Sequence, residues 1–213
     1  CTNLVGGNGT TYNANNVGYT YARIDGGTSN PGYFTDKNAP IELAQDTDGY
    51  YQIGTAAEWK AFADMALTKP TANARMTADI DLGDDQTMIG TMDAEDAFYQ
   101  GHFDGQGHTL TVNFIADMNV APFRYVKGAT IDRLHVTGRM EANGTCGVGG
   151  VVAKVNEGAV TTIRRCWSSA LLVSNTSGSA QNTIGGIVSS AYGPTVIEDC
   201  LFDGEFGPDN RAY

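Results

Sequence analysis

The chain has 213 residues, of which 13 are Lys or Arg and 24 are Asp or Glu, so its formal net charge at pH 7 is −11. Nucleic acids and anionic membrane surfaces are polyanions, and this acidic balance argues against both as partners. No apolar run approaches the roughly 20 residues that a membrane-spanning helix requires, so we expect no membrane insertion. Charged residues make up 17% of the chain and 27 residues are Gly, a composition typical of β-rich extracellular proteins.

Residues 1–38 form a segment rich in Gly, Asn and Tyr without helical periodicity. Two runs, Leu4-Val5-Gly6-Gly7-Asn8-Gly9-Thr10 and Asn30-Pro31-Gly32-Tyr33-Phe34, resemble the closing segment of BspA-like surface leucine-rich repeats. Cys1-x-x-Leu4 fits the end of the preceding repeat in that family, although the repeats themselves are absent. The resemblance implies that residues 1–38 are the C-terminal remnant of a leucine-rich-repeat unit, with Cys1 as an internal core residue.

A helix with a clear N-terminal signal follows. Thr55 is a good N-cap, and Glu58 three residues later completes a capping box. Pro70 prevents the helix from continuing, so the sequence predicts a helix over residues 56–67. We expect its apolar face to cover an open end of the fold. The members of that face are Trp59, Phe62, Ala63, Ala66 and Leu67.

Residues 74–82 alternate between apolar and polar side chains, which predicts one β-strand. In this strand and the following turn, four carboxylates lie close together in sequence: Asp79, Asp81, Asp84 and Asp85. This density is typical of a calcium site, so these residues are the candidate ligands for Ca²⁺. A solvated strand face and a turn explain the same residues without a metal, because turns favour Asp for backbone reasons. We favour the second interpretation and expect no cofactor.

The three histidines, His102, His108 and His135, lack the spacing of a metal motif. The sequence contains neither a His-Glu-x-x-His motif nor a Gly-x-Ser-x-Gly nucleophile elbow. We interpret His108 beside Asp104 as a turn-stabilising histidine rather than a catalytic pair. We therefore expect no enzymatic activity and no catalytic residue in this chain.

One stretch occurs twice in the C-terminal third of the chain. Gly149-Gly150-Val151-Val152 returns 36 residues later as Gly185-Gly186-Ile187-Val188, and Ile163-x-x-Cys166 returns 34 residues later as Ile197-x-x-Cys200. A repeat of this length, built from β-branched runs, predicts stacked coils of β-strand. The fold class is therefore mainly β, a β-solenoid. The inner columns of stacked side chains are expected to include Val151, Ile163, Ile187 and Ile197.

The ordered series of motifs from residue 80 onward resembles the GLUG-type right-handed β-helix. This repeat is found in large bacterial surface proteins, including adhesins and the non-catalytic parts of immunoglobulin A peptidases. The resemblance implies a right-handed parallel β-helix over residues 39–213, with one N-terminal capping helix and truncated at its C-terminal end. It also implies a location at the bacterial cell surface. The motifs are Ile80-Asp81-Leu82, Ile89-Gly90-Thr91, residues 103–110, Ile131-x-x-Leu134-x-Val136-x-Gly138, Gly149-Gly150-Val151-Val152 and Ile163-x-x-Cys166.

Cys166 and Cys200 hold equivalent places in successive copies of the repeat. Adjacent coils would bring them to roughly 4.8 Å, within the Cα range of a disulfide. Side chains of parallel strands point the same way, however, which is poor disulfide geometry. We therefore expect free, buried thiols, with Cys146 as a third small core residue.

Aromatic residues are the candidates for ligand binding. Five could stack on sugar rings, with Trp167 and Tyr192 foremost: Tyr50, Tyr51, Trp59, Trp167 and Tyr192. We expect a monomeric, non-catalytic fragment of a large bacterial surface protein, an adhesive or stalk module contacting host proteins or glycans. One alternative is a polysaccharide-acting enzyme, which needs carboxylates and basic residues converging on one outer face. Another is a carbohydrate-binding module, which needs two or more aromatics exposed in a row.

Overall fold

The computed structural model describes residues 41–92, 97–144, 147–175 and 183–207, and the backbone of two strands before them. The chain forms two units, Cys1–Ile41 and Glu42–Tyr213. In the first unit, β1 (Tyr21–Arg23) pairs antiparallel with β2 (Phe34–Asp36). The remaining residues of the first unit up to 40, including Cys1 and the glycine-rich runs, lie outside the described residues, so their assignment to a leucine-rich repeat stays a prediction.

The second unit contains one helix, α1 (Ala56–Ala66), and a series of short strands. The strands are β3 (Tyr51–Ile53), β4 (Ala74–Met76), β5 (Ile80–Asp81), β6 (His102–Asp104), β7 (Thr109–Ala116), β8 (Phe123–Val126), β9 (Thr130–Asp132), β10 (His135–Ala142), β11 (Val148–Gly149), β12 (Val152–Val155), β13 (Thr161–Arg164), β14 (Trp167–Ser168), β15 (Leu171–Ser174), β16 (Ile184–Gly185), β17 (Val188–Ala191), β18 (Thr195–Glu198), β19 (Leu201–Phe202) and β20 (Glu205–Phe206).

These strands build three long sheets and one short pair. A six-stranded sheet has the order β3-β4-β6-β9-β13-β18, and a seven-stranded sheet runs from β5 through β7 and β10 to β14 and β15, then to β19 and β20. A three-stranded sheet contains β8, β12 and β17, and β11 pairs with β16. The chain visits the sheets in turn, and their strands pair in parallel. The second unit is therefore a parallel β-solenoid of about four turns, which confirms the predicted fold class.

The observed register is the one that the repeated stretch predicts. Gly149 pairs with Gly185, and Ile163 pairs with Ile197. Equivalent residues of successive coils therefore lie in the same sheet, and their side chains point the same way. The two offsets of 36 and 34 residues thus place both halves of the repeat in register.

Burial along the inner columns differs from the expectation in the last described coil. Val151 and Ile163 are fully buried, as expected, but Ile187 is half-buried and Ile197 is 50% exposed. Both belong to the coil of residues 183–207, and no further described coil covers them. The alternating pattern identifies the face of a side chain, whereas its burial also depends on the next coil.

The single strand predicted for residues 74–82 is wrong. The structure divides this stretch into β4 of the six-stranded sheet and β5 of the seven-stranded sheet. A corner at residues 77–79 separates them. The apolar side chains keep pointing inward on both sides of the corner, so the alternation continues while the chain changes sheet.

Helix α1 covers the interior of the first coils. The indole of Trp59 meets the rings of Phe103 and Phe123 edge-on, with centroids 5.6 and 6.1 Å away. The predicted apolar face is confirmed for Trp59, Phe62, Ala63 and Ala66, which are all buried. Leu67 instead forms the C-cap and is 43% exposed, because the helix ends one residue earlier than predicted. Among the described residues, no helix is long and apolar enough to cross a bilayer.

The predicted capping box is present in a shifted form, in which Glu58 reaches the N–H of the residue before the N-cap, and it can be tested. The Glu58 backbone N–H donates to Thr55 Oγ1 at 3.2 Å, and the Glu58 carboxylate accepts from the Gly54 N–H at 2.9 Å. Replacing Thr55 with Ala removes an acceptor for a helix N–H group and should lower the free energy of unfolding by about 1 kcal/mol. Urea unfolding followed by circular dichroism measures this loss. Thr71→Ala, at an exposed threonine just beyond the other end of α1, is the matched control, and an equal loss there would contradict a specific capping effect.

Candidate functional site

Carboxylate and guanidinium groups converge on the outer face of the six-stranded sheet. Asp104 and Asp132 end β6 and β9 and pair in register. Arg75 and Arg164 occupy the same column in β4 and β13. Because side chains alternate along a strand, these groups point outward where their neighbours in the inner column point inward. The sequence interpretation missed this cluster, although each member directly follows an inner-column residue.

Each carboxylate is held by guanidinium groups from the following coil. Arg133 Nε donates to Asp104 Oδ1 at 3.0 Å, and Arg165 Nε donates to Asp132 Oδ1 at 2.9 Å. Arg164 Nη2 lies 3.1 Å from Asp132 Oδ2. The two Asp side chains are only 5% and 3% exposed, so their burial depends on these charge-assisted hydrogen bonds. We call this cluster the carboxylate–guanidinium ladder; it comprises Arg75, Asp104, Asp132, Arg133, Arg164 and Arg165.

The ladder keeps the carboxylate of Asp132 ionised. Burial by itself raises the pKa of Asp132. The hydrogen bond from Arg165 and the charge of Arg164 lower it by more than burial raises it, so the pKa lies below its ordinary value. The pKa values of Arg133 and Arg165 are raised by their hydrogen bonds to Asp104 and Asp132. A group that stays ionised in this way is a poor acid or base near neutral pH. The ladder is therefore suited to joining coils rather than to transferring protons.

The backbone conformation of Arg133 and Arg165 helps their side chains to contact the carboxylates of the preceding coil. Arg133 and Arg165 adopt φ values of 51° and 52°, in the left-handed region that L-residues rarely occupy. Each therefore makes a sharp turn directly after its strand. This turn directs the guanidinium toward the carboxylate of the preceding coil.

The structure does not bring the four candidate calcium ligands into one group. Asp81 accepts a hydrogen bond from the Gly83 N–H at 2.9 Å, and Asp85 accepts one from the Thr87 N–H at 2.8 Å. Both are local turn contacts of the kind Asp commonly makes. Among the described residues, no three His, Cys, Asp or Glu side chains form a group able to hold a metal ion. The backbone carbonyl of Asp84 accepts a hydrogen bond from Gln86 Nε2 at 3.0 Å.

Asp79 takes part in a contact between coils. Its carboxylate accepts from the Thr109 N–H at 2.8 Å and lies 3.1 Å from His108 Nδ1. These two contacts, the backbone N–H first, lower the pKa of Asp79. His108 thus pairs with Asp79 of the preceding coil. The disfavoured alternative for His108, a catalytic pair with Asp104, is not what the structure shows, because Arg133 Nε donates to the Asp104 carboxylate.

A strip of hydrogen-bonded side chains continues along the outer face of the seven-stranded sheet. His135 Nε2 lies 2.9 Å from Ser169 Oγ, and His135 Nδ1 lies 3.1 Å from Thr109 Oγ1. Burial lowers the pKa of His135 despite the nearby charges of Asp203 and Asp79, which favours a neutral imidazole. A serine–histidine pair of this kind activates a nucleophile when a carboxylate orients the histidine. Here a threonine hydroxyl holds that position, so the arrangement fits inter-coil hydrogen bonding better than catalysis.

His135 covers one ring face of Trp167. Its indole stacks on the His135 imidazole with centroids 3.9 Å apart and an angle of 8° between the planes. Its Nε1–H donates to Asp203 at 2.6 Å, and Leu201 occupies the same column one coil later. Trp167 is 40% exposed, so at most one of its ring faces is open to a ligand.

The other candidate aromatics are separated from Trp167. Tyr192 is 61% exposed, but it follows β17 of the three-stranded sheet, and Lys154 Nζ lies 4.6 Å from its ring centroid. The sugar-stacking role considered for Trp59 is wrong, because this residue is fully buried. The guanidinium carbon of Arg75 lies over the Tyr50 ring, 4.4 Å from its centroid. Tyr51 packs against Phe62.

Cys166 and Cys200 are free thiols in one column, as expected, and they differ in accessibility. Cys166 is buried as expected, but the expected burial of Cys200 is wrong, because this residue is half-buried on the last described coil. Both thiols donate to backbone carbonyls, Cys166 Sγ to Arg164 and Cys200 Sγ to Glu198, each at 3.3 Å. The proximity of Cys200 together with burial raises the pKa of Cys166, whereas the pKa of the half-buried Cys200 is lowered. Cys146 lies outside the described residues.

This difference predicts selective alkylation. Because the thiolate is the reactive form, iodoacetamide at neutral pH should modify Cys200 well before Cys166 in the folded chain. Peptide mapping by mass spectrometry over a time course measures both rates. The two rates should become similar in urea. Equal rates in the folded chain would contradict the burial of Cys166.

No family model matches the sequence, and no curated protein is significantly similar to it. The GLUG-type and BspA-like resemblances therefore stay predictions.

Proposed function

We propose that the solenoid is a non-catalytic adhesive or stalk module of a bacterial cell-surface protein, which contacts host proteins or polymer ligands. The observation that supports this most is the carboxylate–guanidinium ladder. A polysaccharide-acting solenoid would also gather acids and bases on one outer face. In this chain Asp104 and Asp132 are buried and already paired with arginine, so neither is free to bind a cation or to transfer a proton.

The same ladder suits a mechanical role. Backbone hydrogen bonds join each coil to the next on several sheets, and the arginines add side-chain contacts between coils. An architecture in which every unit contacts only its neighbours forms a stiff spacer with long lateral faces. Those faces, rather than a pocket, would be the contact surface of an adhesive module.

A carbohydrate-binding module is the less favoured alternative. Such a module stacks sugar rings on adjacent exposed aromatic faces. Trp167 has one face covered by His135, and Tyr192 lies on a different sheet. The two leading candidates therefore do not form a row.

A combined screen for glycan binding and polysaccharide depolymerisation tests the proposal. We expect no product release from acidic or neutral polysaccharides, with or without added Ca²⁺, because the ladder carboxylates are already paired. Release of products would overturn the non-catalytic role. Loss of glycan binding in both Trp167→Ala and Tyr192→Ala would instead favour the carbohydrate-binding module, with Ile115→Ala as the control for another exposed side chain.

A further inference from the structure

Residues 44–50, which we call the strap, close the edge of β3 in the six-stranded sheet. On one side β3 pairs with β4. On the other side the Gln52 N–H donates to the Ala44 carbonyl at 2.8 Å. Gln45 also bridges antiparallel to Tyr51 there. The strap therefore occupies backbone groups of β3 that would otherwise be free to pair with another strand.

Side-chain contacts hold the strap against the outer face of the same sheet. Arg75 in β4 donates to the Asp46 carboxylate, and its guanidinium carbon lies 4.4 Å from the centroid of the Tyr50 ring. The Tyr50 hydroxyl lies 2.7 Å from His102 Nδ1. His102 belongs to β6, which is two strands away from β3 in the sheet. The contact between Tyr50 and His102 thus ties the end of the strap directly to the sheet.

The other ring nitrogen of His102, Nε2, is buried and has no hydrogen-bond partner among the described residues. An imidazolium carries an N–H group on both ring nitrogens, so His102 in this position can satisfy only one of them. A buried donor without an acceptor is costly, and a buried charge costs more. The position therefore suits the neutral imidazole and disfavours the protonated one.

The protonation of His102 depends on its burial and on charges of both signs. Burial is the largest influence and lowers the pKa of His102 below its ordinary value of 6.5. The carboxylates of Asp104 and Asp132 raise this pKa, whereas the guanidinium groups of Arg164 and Arg133 lower it. The strap and β4 contribute further ionisable groups beside the ring: Asp46, Asp48, Tyr50 and Arg75.

We propose that the strap is an acid-sensitive switch, in which protonation of His102 releases the strap from the edge of β3. The imidazolium turns toward water, and its contact with the Tyr50 hydroxyl is lost. The strap then keeps fewer contacts with the sheet and opens more often. Opening exposes the backbone N–H and C=O groups of β3. The proposal does not depend on the adhesive role, because it rests on the contacts of the strap alone.

The direction of the pH dependence follows from the burial of His102. Because its pKa is lower when the strap is closed than when the ring is hydrated, the closed form binds fewer protons near the ordinary pKa. The closed strap is therefore most stable above about pH 6.5 and loses stability as the pH falls below this value. Carboxyl groups ordinarily titrate near pH 4, so a series that ends at about pH 5 reports mainly on histidine.

Hydrogen exchange of the Gln52 amide measures the opening, since this N–H donates to the strap at Ala44. After correction for the intrinsic pH dependence of exchange, its protection in the full chain should fall at least about threefold between about pH 7.5 and about pH 5. The Thr162 amide donates to the Ala129 carbonyl at 2.8 Å between interior coils and should keep its protection. An equal loss at Thr162 would overturn the proposal, because it would report opening of the whole solenoid.

Variants of the chain assign the effect to His102. His102→Asn keeps a side-chain oxygen that can accept from Tyr50 but cannot be protonated, so the protection of Gln52 should become nearly independent of pH. Tyr50→Phe removes the hydroxyl and should lower the protection at neutral pH toward the acidic value of the parent chain. His108→Asn, at the histidine that pairs with Asp79, should behave like the parent. Constant protection of Gln52 in the parent, or an unchanged loss in His102→Asn, would overturn the proposal.

Discussion

Replacement of Ile131 with Asp is expected to unfold the solenoid, whereas the same replacement at Ile197 should leave it folded. Ile131 is fully buried between Phe103 and Ile163 in one inner column. An unpaired carboxylate there should cost roughly 4 kcal/mol or more, a large part of the typical stability of a domain. Thermal and urea unfolding followed by circular dichroism measure the loss.

Ile197 provides the matched control because it belongs to the same column. It is 50% exposed, so a carboxylate at this position stays hydrated and should cost about 1 kcal/mol or less. Ile131→Val serves as a second control and should cost about 1 kcal/mol through the lost methylene group. If Ile131→Asp melted like the parent chain, the assignment of the inner column would be wrong.

Asp132→Asn is expected to lower the free energy of unfolding by about 2 to 3 kcal/mol at neutral pH. The carboxylate is only 3% exposed and accepts from both Arg164 and Arg165. The Asn side chain has one acceptor oxygen and no negative charge, so it cannot replace both carboxylate oxygens as partners of the two guanidinium groups. The loss is limited because Arg164 and Arg165 are 39% and 49% exposed and can return to water.

This effect should depend on pH in a defined direction. The pKa of Asp132 is lowered in the folded chain because the contacts with Arg165 and Arg164 outweigh its burial. Its contribution is therefore present above the ordinary carboxyl pKa of about 4 and is lost as the pH falls through the lower folded value. Urea unfolding at neutral and acidic pH should show the difference between parent and Asp132→Asn shrinking upon acidification.

Asp199→Asn is the control for the pH series. Asp199 is exposed and has a φ of 54°, close to that of Arg165 in the turn one coil earlier. Its replacement should change stability by no more than about 0.5 kcal/mol at neutral pH. A constant difference between parent and Asp132→Asn across the whole pH range would contradict a contribution from the ionised pair.

The sequence allowed the coil stacking to be predicted because identical residue types recur at nearly constant spacing. Gly149 and Gly185, like Ile163 and Ile197, pair in the register that their offsets require. The helix was equally predictable, since Thr55 and Glu58 form a local signal that needs no tertiary contact. In both cases the information lies within a short stretch or in its repetition.

The ladder and the environment of Trp167 could not be predicted from the sequence by the same reasoning. Asp132 and Arg165 are 33 residues apart and belong to no local motif, so their pairing becomes visible only when the columns are known. Trp167 looks like an exposed aromatic in sequence, yet His135 of the preceding coil covers one ring face. Contacts between coils depend on register, which has to be established first.

The unequal ends of the solenoid also affect how its stability is distributed. The strands of the last described coil have hydrogen-bonded neighbours on one side, whereas β9 and β13 have neighbours on both. Local opening can therefore begin at residues 183–207 and proceed inward without disrupting the helix-covered end. Amide hydrogens of the interior strands should consequently exchange last with solvent. A single cooperative transition would then describe the interior coils rather than the entire chain.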